Sequence, residues 1–346
     1  MLSALFLAST LFLNPQVNYT AQRSLEDGIP IVVLADRQTQ TEVRIVPSLG
    51  NRIYRMTVAG QEILWNPNKS LAEFKAQPAF MGVPLMAPWA NRLEGDYFHA
   101  NGKKYPLHAE WKNFRRDGFG HPIHGLLSYA PEWSLVSLTA DAQAAEMVAR
   151  LDFWRYPHYM GQFPLAHEIE LTYRLSGGAL EVRTTITNRS AENLPIGLGY
   201  HPYFQLPGTP RESWQVTLPV NRRVLLSKEL LPTGESQPYD RKFLPQLGDT
   251  SLDDVFTDLD FDASGQAEFR VEGGGRRISV VFGRRYPVAV AYAPKDRPFI
   301  CFEPMTAITN AFNLAHEGRY PELQTLPPGQ IWKESFWIRV SEVPSR

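Results

Sequence analysis

The chain has 346 residues, and its 35 basic side chains are nearly balanced by 36 acidic ones, so the formal net charge is −1. Such a balance argues against a polyanionic ligand, and no nucleic-acid partner is predicted. The single cysteine, Cys301, excludes an intrachain disulfide and a cysteine-rich metal site. The 28 prolines, 24 glycines and 12% aromatic residues are typical of many short strands joined by turns.

The amino terminus carries an apolar run from Leu2 to Leu13, which Asn14-Pro15 ends. A run of about twelve residues is too short to span a bilayer as a helix, but it suits the apolar core of an export signal. No lysine or arginine precedes it, and the best cleavage point, after Ala21, has bulky Tyr19 at the third position back. We interpret residues 1–21 as an export signal, or else as an N-terminal extension packed on the domain. Export is favoured over a cytoplasmic location, and no membrane span is predicted.

From Thr41 onward the sequence alternates between apolar and polar residues. Ala179–Asn188 places Leu, Val, Thr and Ile on one face and charged or hydroxyl side chains on the other, and His167–Leu175 repeats the pattern. Arg277–Phe282 and Glu334–Val340 behave alike. Alternation with period two is typical of antiparallel strands with one solvated face. Turn signals occur at Ser176-Gly177-Gly178, Asn101-Gly102 and Gly273-Gly274-Gly275.

Helical periodicity is confined to Ser70–Gln77, and no linker or shift of composition divides the chain. Two irregular stretches, Pro78–Gly125 and Pro207–Asp254, are long for loops in a compact domain, so we expect them to be functional or to carry short strands of their own. Residues 22–346 are therefore predicted to form a single domain. Its predicted architecture is all-β, a large antiparallel β-sandwich with elaborated loops.

The segment Gly199–Phe204 holds His201 among aromatic residues and immediately before Pro202. A proline favours an extended backbone in the residue before it and removes one donor from a sheet ladder, so we expect His201 where a strand ends. Tyr203 belongs to an aromatic wall that can stack on a ligand. Because histidine titrates near neutral pH, His201 is a candidate proton donor or acceptor.

His124 lies in the segment His121-Pro122-Ile123-His124-Gly125. Pro122 argues against a shared helical face for the two histidines, and no cysteine or third histidine stands nearby, so no metal site is predicted. Gly125 would let a ligand approach the main chain closely. On the segment alone, a structural role for His124 is favoured over a functional one.

Glu303 ends an apolar strand, Phe299-Ile300-Cys301-Phe302-Glu303, and Pro304 follows it. Extended alternation would place Phe299, Cys301 and Glu303 on one face. A carboxylate in an apolar setting is costly unless it is paired or used. The segment itself leaves open a functional carboxylate and a strand-end glutamate that faces water.

Asn91-Arg92 follows a stiff apolar segment that ends in Trp89, and an arginine beside a tryptophan can offer a planar donor fork to a polyol. The alternative is a surface salt bridge. Asp253-Asp254 follow the second irregular stretch, and acid pairs of this kind are usually solvated turn residues.

Several catalytic motifs are missing. The chain has no Gly-x-Ser-x-Gly elbow, no P-loop and no Gly-x-Gly-x-x-Gly opening a βαβ unit, which removes the support for serine hydrolases, NTPases and dinucleotide enzymes. A glycosidase needs two suitably separated carboxylates. Glu303 and Asp254 could form such a pair, but that hypothesis leaves the histidines without a role.

Taken together, these segments resemble the aldose 1-epimerase (mutarotase) family, in the family's order and over most of the chain. The matching segments are Asn91-Arg92, His124-Gly125 with Trp133, Gly199–Phe204, Asp254-Val255-Phe256, Phe302–Thr306 and Asn310–Asn313. The resemblance implies a galactose mutarotase-like β-sandwich with the sugar site in an open cleft. It implies neither a metal nor an organic cofactor.

The resemblance also implies roles for individual residues. Glu303 would be the base that takes the proton from the anomeric hydroxyl, and His201 the acid that protonates the ring oxygen. His124 matches a second histidine, which contacts the substrate near the ring oxygen. Arg92 and Asp254 match positions that bind sugar hydroxyls, and we add Asn91, which precedes Arg92, and Tyr203, from the segment of His201, as candidate binding residues.

One departure bears on the substrate. Galactose mutarotases usually have a second glycine after His-Gly, whereas this chain has Leu126-Leu127-Ser128, which resembles the branch that includes hexose-6-phosphate epimerases. Against that branch, Pro202 matches the mutarotase pattern. A phosphorylated substrate would need arginines at the cleft, with Arg92, Arg115 or Arg116 the candidates.

The predicted activity is interconversion of the α and β anomers of a free hexose, with a small sugar as the partner and a monomer or homodimer as the assembly. A hexose-6-phosphate 1-epimerase is the nearest alternative. A non-catalytic carbohydrate-binding protein and a glycosidase are the others.

Overall fold

The computed structural model describes residues 18–343, of which the greater part is strand and turn. The strands are β1 (Tyr19–Glu26), β2 (Ile29–Asp36), β3 (Thr41–Val46), β4 (Arg52–Val58), β5 (Gln61–Glu62), β6 (Leu85–Met86), β7 (Tyr97–Ala100), β8 (Lys103–Pro106), β9 (Arg115–Arg116), β10 (Pro122–Ile123), β11 (Ser134–Ala140), β12 (Ala145–Asp152), β13 (His167–Ser176), β14 (Ala179–Asn188), β15 (Leu194–Pro195), β16 (Gly199–Tyr200), β17 (Tyr203–Phe204), β18 (Gln215–Thr217), β19 (Val220–Leu226), β20 (Pro232–Pro238), β21 (Phe243–Leu244), β22 (Leu252–Leu259), β23 (Gln266–Gly273), β24 (Arg276–Gly283), β25 (Val288–Ala293), β26 (Ile300–Met305), β27 (Thr325–Leu326) and β28 (Ile331–Glu342).

The helices are short. They are α1 (Leu71–Ala76), α2 (Pro157–Met160) and α3 (Ala311–His316), with 3-10 turns at Pro47–Leu49, Ala109–Trp111, Phe153–Arg155 and Arg211–Ser213. Within residues 18–343, none of the helices has both the length and the apolar character that crossing a membrane requires.

The predicted all-β antiparallel architecture is confirmed, since the chain is 50% strand and 9% helix and its sheets are antiparallel. β14 has the bounds that the alternation indicated, and β13 joins it through the Gly177-Gly178 turn. The predicted helical segment forms α1, where the Ser70 hydroxyl accepts a hydrogen bond from the main-chain N–H of Glu73 at 3.1 Å. Such a cap satisfies a donor that the first helical turn leaves free.

The apolar run Leu2–Leu13, which we interpreted as part of an export signal or an N-terminal extension, lies outside the described residues. Strand β1 begins at Tyr19, so the boundary we placed after Ala21 falls inside this strand, where Ala21 pairs with Leu34 of β2. Residues 19–21 are thus part of a sheet in the folded chain.

Three large sheets make the body of the molecule. One has nine strands in the order β11-β12-β13-β14-β28-β24-β23-β18-β21. A second runs β20-β19-β22-β25-β26-β16-β6, with β17 also paired to β26, and a third runs β1-β2-β3-β4-β5. Strand β28, the last along the described chain, lies in the middle of the nine-stranded sheet between β14 and β24.

One continuous apolar core lies between these sheets. Alternate residues of each sheet point into it, as period-two strands require when one face is buried. Examples are Leu34 and Val43 of the five-stranded sheet, Leu171, Val182 and Val280 of the nine-stranded sheet, and Ala291 and Phe302 of the sheet that holds β26.

The opposite face of the sheet that holds β26 carries a second row of side chains. Ile300 and Phe302 point into the core, so Cys301 and Glu303 of the same strand point the other way. Register places Val255 of β22 beside Val290 of β25, and Val290 beside Glu303. Glu303 therefore continues an apolar row across this outer face, and the candidate residues gather there.

The first irregular stretch, residues 78–125, contains the short strands β6 to β10 and packs against this outer face. Gly125 has φ of +67°, and the main chain of Ala87 lies against it. We expected room here for a ligand, but a Cβ atom on Gly125 would lie 2.1 Å from the Ala87 oxygen. The open side of Gly125 is thus filled by the protein's own backbone.

Replacing Gly125 by alanine should destabilise the protein by about 3 kcal/mol or more, because the methyl group would collide with a main chain that has no room to shift. Gly102 is a matched control, with φ of +74° and no atom within 4 Å of the place that an added methyl group would take. Gly102→Ala should cost only about 1 kcal/mol, the strain of a positive φ. Urea denaturation of both variants checks this, and equal losses would contradict the close-approach argument.

Candidate active site

His201 and Glu303 face each other on adjacent segments of the sheet. Gly199 pairs with Met305 and Tyr203 with Cys301, so the register places His201 directly opposite Glu303. Opposed side chains on one face of a sheet are in contact distance. The Nε2 atom of His201 lies 3.2 Å from Oε1 of Glu303.

His201 interrupts the strand, as the following proline led us to expect. It separates β16 from β17, and its main-chain N–H donates to the oxygen of Pro84 at 3.1 Å. Its side chain points to the outer face, beside Glu303, at the break between these two strands.

The pair is buried, and burial sets its protonation. Glu303 is 1% exposed and His201 is 6% exposed. Burial raises the pKa of the Glu303 carboxyl well above its ordinary value, and the charge of Asp253 raises it further, against an opposing effect of Arg92. Burial lowers the pKa of His201 to about 3, and the charges of Arg115 and Arg52 act in the same direction. Both shifts favour a pair without net charge, a protonated carboxyl beside a neutral imidazole.

His124, near the end of the irregular stretch 78–125, completes the cluster. Its backbone is left-handed, with φ of +66°, and its N–H donates to the oxygen of Asn91 at 2.9 Å. The imidazole stacks on Phe80 at 4.6 Å and meets His201 edge-on at 5.6 Å. Burial, followed by the neighbouring His201, lowers the pKa of His124 well below its ordinary value.

An aromatic wall surrounds the histidines. Tyr203 stacks on His201 with ring centroids 4.5 Å apart and an interplanar angle of 6°. Its hydroxyl lies 3.4 Å from Nε2 of His201. Trp65 and Phe299 pack beside Tyr203, and Phe80 meets its edge.

Sequence reasoning did not single out Phe80 or Trp65. Phe80 lies in the long stretch 78–125, which was expected to be functional or to carry short strands, but nothing in its local pattern marks one aromatic residue above another. Trp65 stands in an irregular segment next to Asn66-Pro67. Trp65 reaches Tyr203 and Phe80 reaches His124 only because of how the loops pack in the folded protein, which the local sequence does not show.

Arg92 and Asn91 are the next two candidate residues, and both belong to the irregular stretch 78–125. The Nε atom of Arg92 donates to Asp117 at 2.6 Å, so Arg92 forms a salt bridge, which was the alternative to a sugar-binding role. The positive charge of Arg92 also acts to lower the pKa of both Asp253 and Glu303. Asn91 is buried, and its amide lies 3.5 Å from the sulfur of Met305, two residues beyond Glu303.

The structure does not bring Asp254 to this cluster. Strand alternation places Asp253 and Val255 on the outer face with Glu303, while Asp254 and Phe256 point the other way. Asp254 instead accepts from Arg223 at 3.2 Å. Asp253 is open to solvent in the cleft, and desolvation by the surrounding atoms still raises the pKa of its carboxyl. A two-aspartate segment gives no internal sign of which residue faces a site.

The site thus gathers Glu303, His201, His124, Tyr203 and Arg92, with Asn91 alongside. Within residues 18–343, no group of three or more histidine, cysteine, aspartate or glutamate side chains is arranged to hold a metal ion. The second oxygen of Glu303 and Nδ1 of His124 are buried with no protein partner in the same range. These atoms can exchange hydrogen bonds with a hydroxylated ligand, and the pair can give and take a proton.

Comparisons with known proteins identify the family of the chain. The family model described as aldose 1-epimerase matches residues 32–339. The uncharacterised protein YphB of Escherichia coli (strain K12) is 31% identical over 123 residues, a match that spans 35% of this chain and 36% of YphB.

Solved structures share the fold. A galactose mutarotase-like protein from Clostridium acetobutylicum superimposes with a TM-score of 0.82 at 22% identity, covering 94% of this chain and 99% of its own. Slr1438 from Synechocystis sp. PCC 6803 gives 0.73 at 24% identity, with the same coverage. Galactose 1-epimerase from Lactobacillus acidophilus NCFM gives 0.73 at 16% identity, covering 95% of this chain and 100% of its own. With the family model matched over nearly the whole described chain, the protein belongs to the aldose 1-epimerase family.

Proposed function

We propose that the protein is an aldose 1-epimerase that interconverts the α and β anomers of a free hexose by acid and base catalysis. The observation that carries this proposal is the buried contact between His201 and Glu303, with Nε2 and Oε1 3.2 Å apart. One group of the pair can accept a proton while the other donates one. The cleft around them offers polar atoms and aromatic faces that suit a sugar.

The reaction would proceed in two mirrored halves. With Glu303 as carboxylate and His201 as imidazolium, Glu303 takes the proton of the anomeric hydroxyl while His201 protonates the ring oxygen. The bond between the anomeric carbon and the ring oxygen breaks, and an open-chain aldehyde forms. The aldehyde carbon then turns about its bond to the next carbon.

Closure reverses each transfer. Glu303 returns a proton to the aldehyde oxygen, His201 removes the proton of the hydroxyl that attacks, and the other anomer forms. The pair therefore holds one proton throughout, which moves between the two residues by way of the sugar. The raised pKa of Glu303 and the lowered pKa of His201 support the state between the two halves, in which the carboxyl holds that proton, whereas the charged pair that begins the reaction must form against these shifts.

The remaining residues would hold and orient the ring. Arg92 and Asp253 lie where they can bind hydroxyl groups, and Asn91 supports the same wall. Tyr203 and His124 bracket His201 and can contact the sugar near its ring oxygen. Each well-placed proton donor or acceptor typically contributes about 10²–10⁴-fold to the rate.

A hexose-6-phosphate epimerase is the second candidate, and one arginine favours it. Arg116 is engaged by Asp96 and Arg92 by Asp117. Arg115 has no carboxylate at salt-bridge distance in the described chain, and it lies over Phe80, 5.0 Å from the ring centroid. One uncommitted arginine is less than a phosphate normally receives, so the free sugar is the better-supported substrate.

The first test is polarimetry of freshly dissolved α-glucose, α-galactose, other aldoses and glucose 6-phosphate. We expect the protein to accelerate mutarotation of at least one free aldose. Glu303→Gln and His201→Asn should each lower kcat by about 10²-fold or more, because each removes one proton carrier. Circular dichroism of both variants checks that the fold is kept.

Several outcomes would contradict the proposal. Wild-type rates equal to buffer for every free aldose would remove the free-sugar activity, and a rate seen only with glucose 6-phosphate would favour the second candidate. Sugar-dependent thermal stabilisation without anomer exchange would indicate a binding protein, and release of reducing ends from glycosides would indicate a glycosidase. A variant near wild type would show that its residue has another role.

The neighbouring aspartates offer a matched pair of variants. Asp253→Asn should lower kcat/KM by about tenfold or more, since Asp253 shares the outer face with Glu303. Asp254→Asn should leave kcat/KM within about twofold, because Asp254 pairs with Arg223 on the other face. Steady-state polarimetry measures both, and the reverse ranking would show that the register argument is wrong.

The pH dependence of kcat/KM should be a broad bell. Acid inactivation requires a second proton on the pair, and burial lowers the pKa of His201 to about 3, so activity should persist below pH 6.5, where an ordinary histidine is already protonated. Alkaline inactivation requires loss of the last proton, and burial raises the pKa of Glu303, so this limb lies above the ordinary value for glutamate. An acid limb at about pH 6.5 in folded protein would refute the assignment.

A further inference from the structure

Arg52, at the start of β4, is a fully buried guanidinium beneath the candidate site. Its Nη1 atom donates to the main-chain oxygens of Ala79 at 2.9 Å and Met81 at 3.4 Å, and its Nη2 atom donates to that of Ser128 at 2.7 Å. The hydrogen bonds that Arg52 donates within residues 18–343 all go to main-chain oxygens, and none goes to a carboxylate. A buried cation without a carboxylate is costly, and carbonyl oxygens offset only part of that cost.

Aromatic rings supply the rest of its environment. The guanidinium carbon lies 4.7 Å from the ring centroid of Tyr129, 5.1 Å from that of Phe74 and 5.7 Å from that of Phe80. Phe80 in turn stacks on His124 and meets His201 edge-on, with centroids 5.3 Å apart. The centroid distances of 5.7 and 5.3 Å place the guanidinium carbon no farther than about 11 Å from the His201 ring.

We propose that Arg52 is a positioning residue for the epimerase reaction: it fixes Phe80 against the two histidines, and its charge opposes a second proton on the His201–Glu303 pair. The mechanical part follows from the contacts, because two of the carbonyl oxygens that Arg52 binds, those of Ala79 and Met81, flank Phe80 in the chain. The electrostatic part follows from burial, since a charge away from solvent is weakly screened. The kinetic consequences rest on the proposed function.

Other groups also act on His201 and have to be separated from Arg52. The titratable groups next to His201 are Glu303, His124, Tyr203 and Tyr292, and the charges of Arg115 and Arg52 act on it from beyond Phe80. Arg115 disfavours the protonated imidazole as well, but it is exposed, so dissolved salt should weaken its effect. The effect of Arg52 should survive high salt.

Arg211 provides a control for a merely structural role. It is also buried, and it also donates to three main-chain oxygens, those of Gly248 at 2.7 Å, Thr250 at 2.8 Å and Ala293 at 2.9 Å. None of these partners belongs to the candidate site. Removing this guanidinium should cost stability in a comparable way without touching the histidines.

The experiment compares Arg52→Gln, Arg52→Lys and Arg211→Gln with the wild type. Two measurements are made on each folded protein at low and high salt: the acid limb of kcat/KM, and the titration of the His201 ring by NMR without ligand. Glutamine keeps an N–H donor for the carbonyl oxygens but removes the charge. Lysine keeps the charge, and at the pH of the acid limb it remains protonated.

Arg52→Gln should raise the apparent pKa of His201 and the acid limb by about one pH unit, at both salt concentrations. It should also lower kcat about tenfold, because Phe80 and His124 lose their fixed position. Arg52→Lys should keep the wild-type acid limb with a reduced kcat. Arg211→Gln should keep the wild-type acid limb and the wild-type kcat, whatever stability it loses.

A folded Arg52→Gln protein with the wild-type acid limb and titration would overturn the proposal. Should that variant not fold, Arg52→Lys decides alone: a displaced acid limb, or an unchanged kcat, would overturn it. The proposed function fails separately, by absence of wild-type mutarotation. In that case the NMR titration of His201 still tests the electrostatic role of Arg52.

Discussion

Burial of a carboxyl and an imidazole in mutual contact is the constraint on which the rest of the site depends. In water, Glu303 would be ionised at neutral pH and His201 would be partly protonated; here, desolvation works against a charge on either residue. The two groups lie 3.2 Å apart, so a proton can be held by the pair without net charge. Reversible proton exchange with a sugar needs that balance, because a strongly favoured ion pair would hold its proton too firmly to return it.

The fold provides this burial by using both faces of one sheet. Inward residues such as Phe302 join the main core, while the alternate residue Glu303 reaches the outer face beneath the long loops. Those loops bring Phe80 and His124 over the pair, and Arg52 donates a hydrogen bond to the main-chain oxygen of Ala79, next to Phe80. The loops therefore act as the second layer of packing over a face that would otherwise meet solvent.

Much of the architecture could be predicted from the sequence, because period two is a local property. The bounds of β14, the turn at Gly177-Gly178 and the helix after Ser70 all follow from neighbouring residues. The proximity of His201 and Glu303 came from family resemblance, since nothing within either segment refers to the other. Only the pairing of Gly199 with Met305 and of Tyr203 with Cys301 sets the two residues opposite each other.

Sequence patterns alone do not decide between two adjacent residues of a strand when only one of them faces the site. Asp253 and Asp254 are chemically identical neighbours, and a shift of one residue exchanges the faces of a strand. Arg52 escaped notice for a different reason: in the sequence it is one arginine of an ordinary alternating strand. Its isolation from carboxylates appears only when residues 79–81 and 128 fold over it.

The central place of β28 has a consequence for biosynthesis. Strands β14 and β24 emerge from the ribosome long before β28, yet each has β28 as its neighbour in the nine-stranded sheet. Until residues 331–342 arrive, both strands present an open edge that can pair with another chain. Completion of this sheet must therefore wait until translation has passed residue 342, although most of its other strands have been made by then.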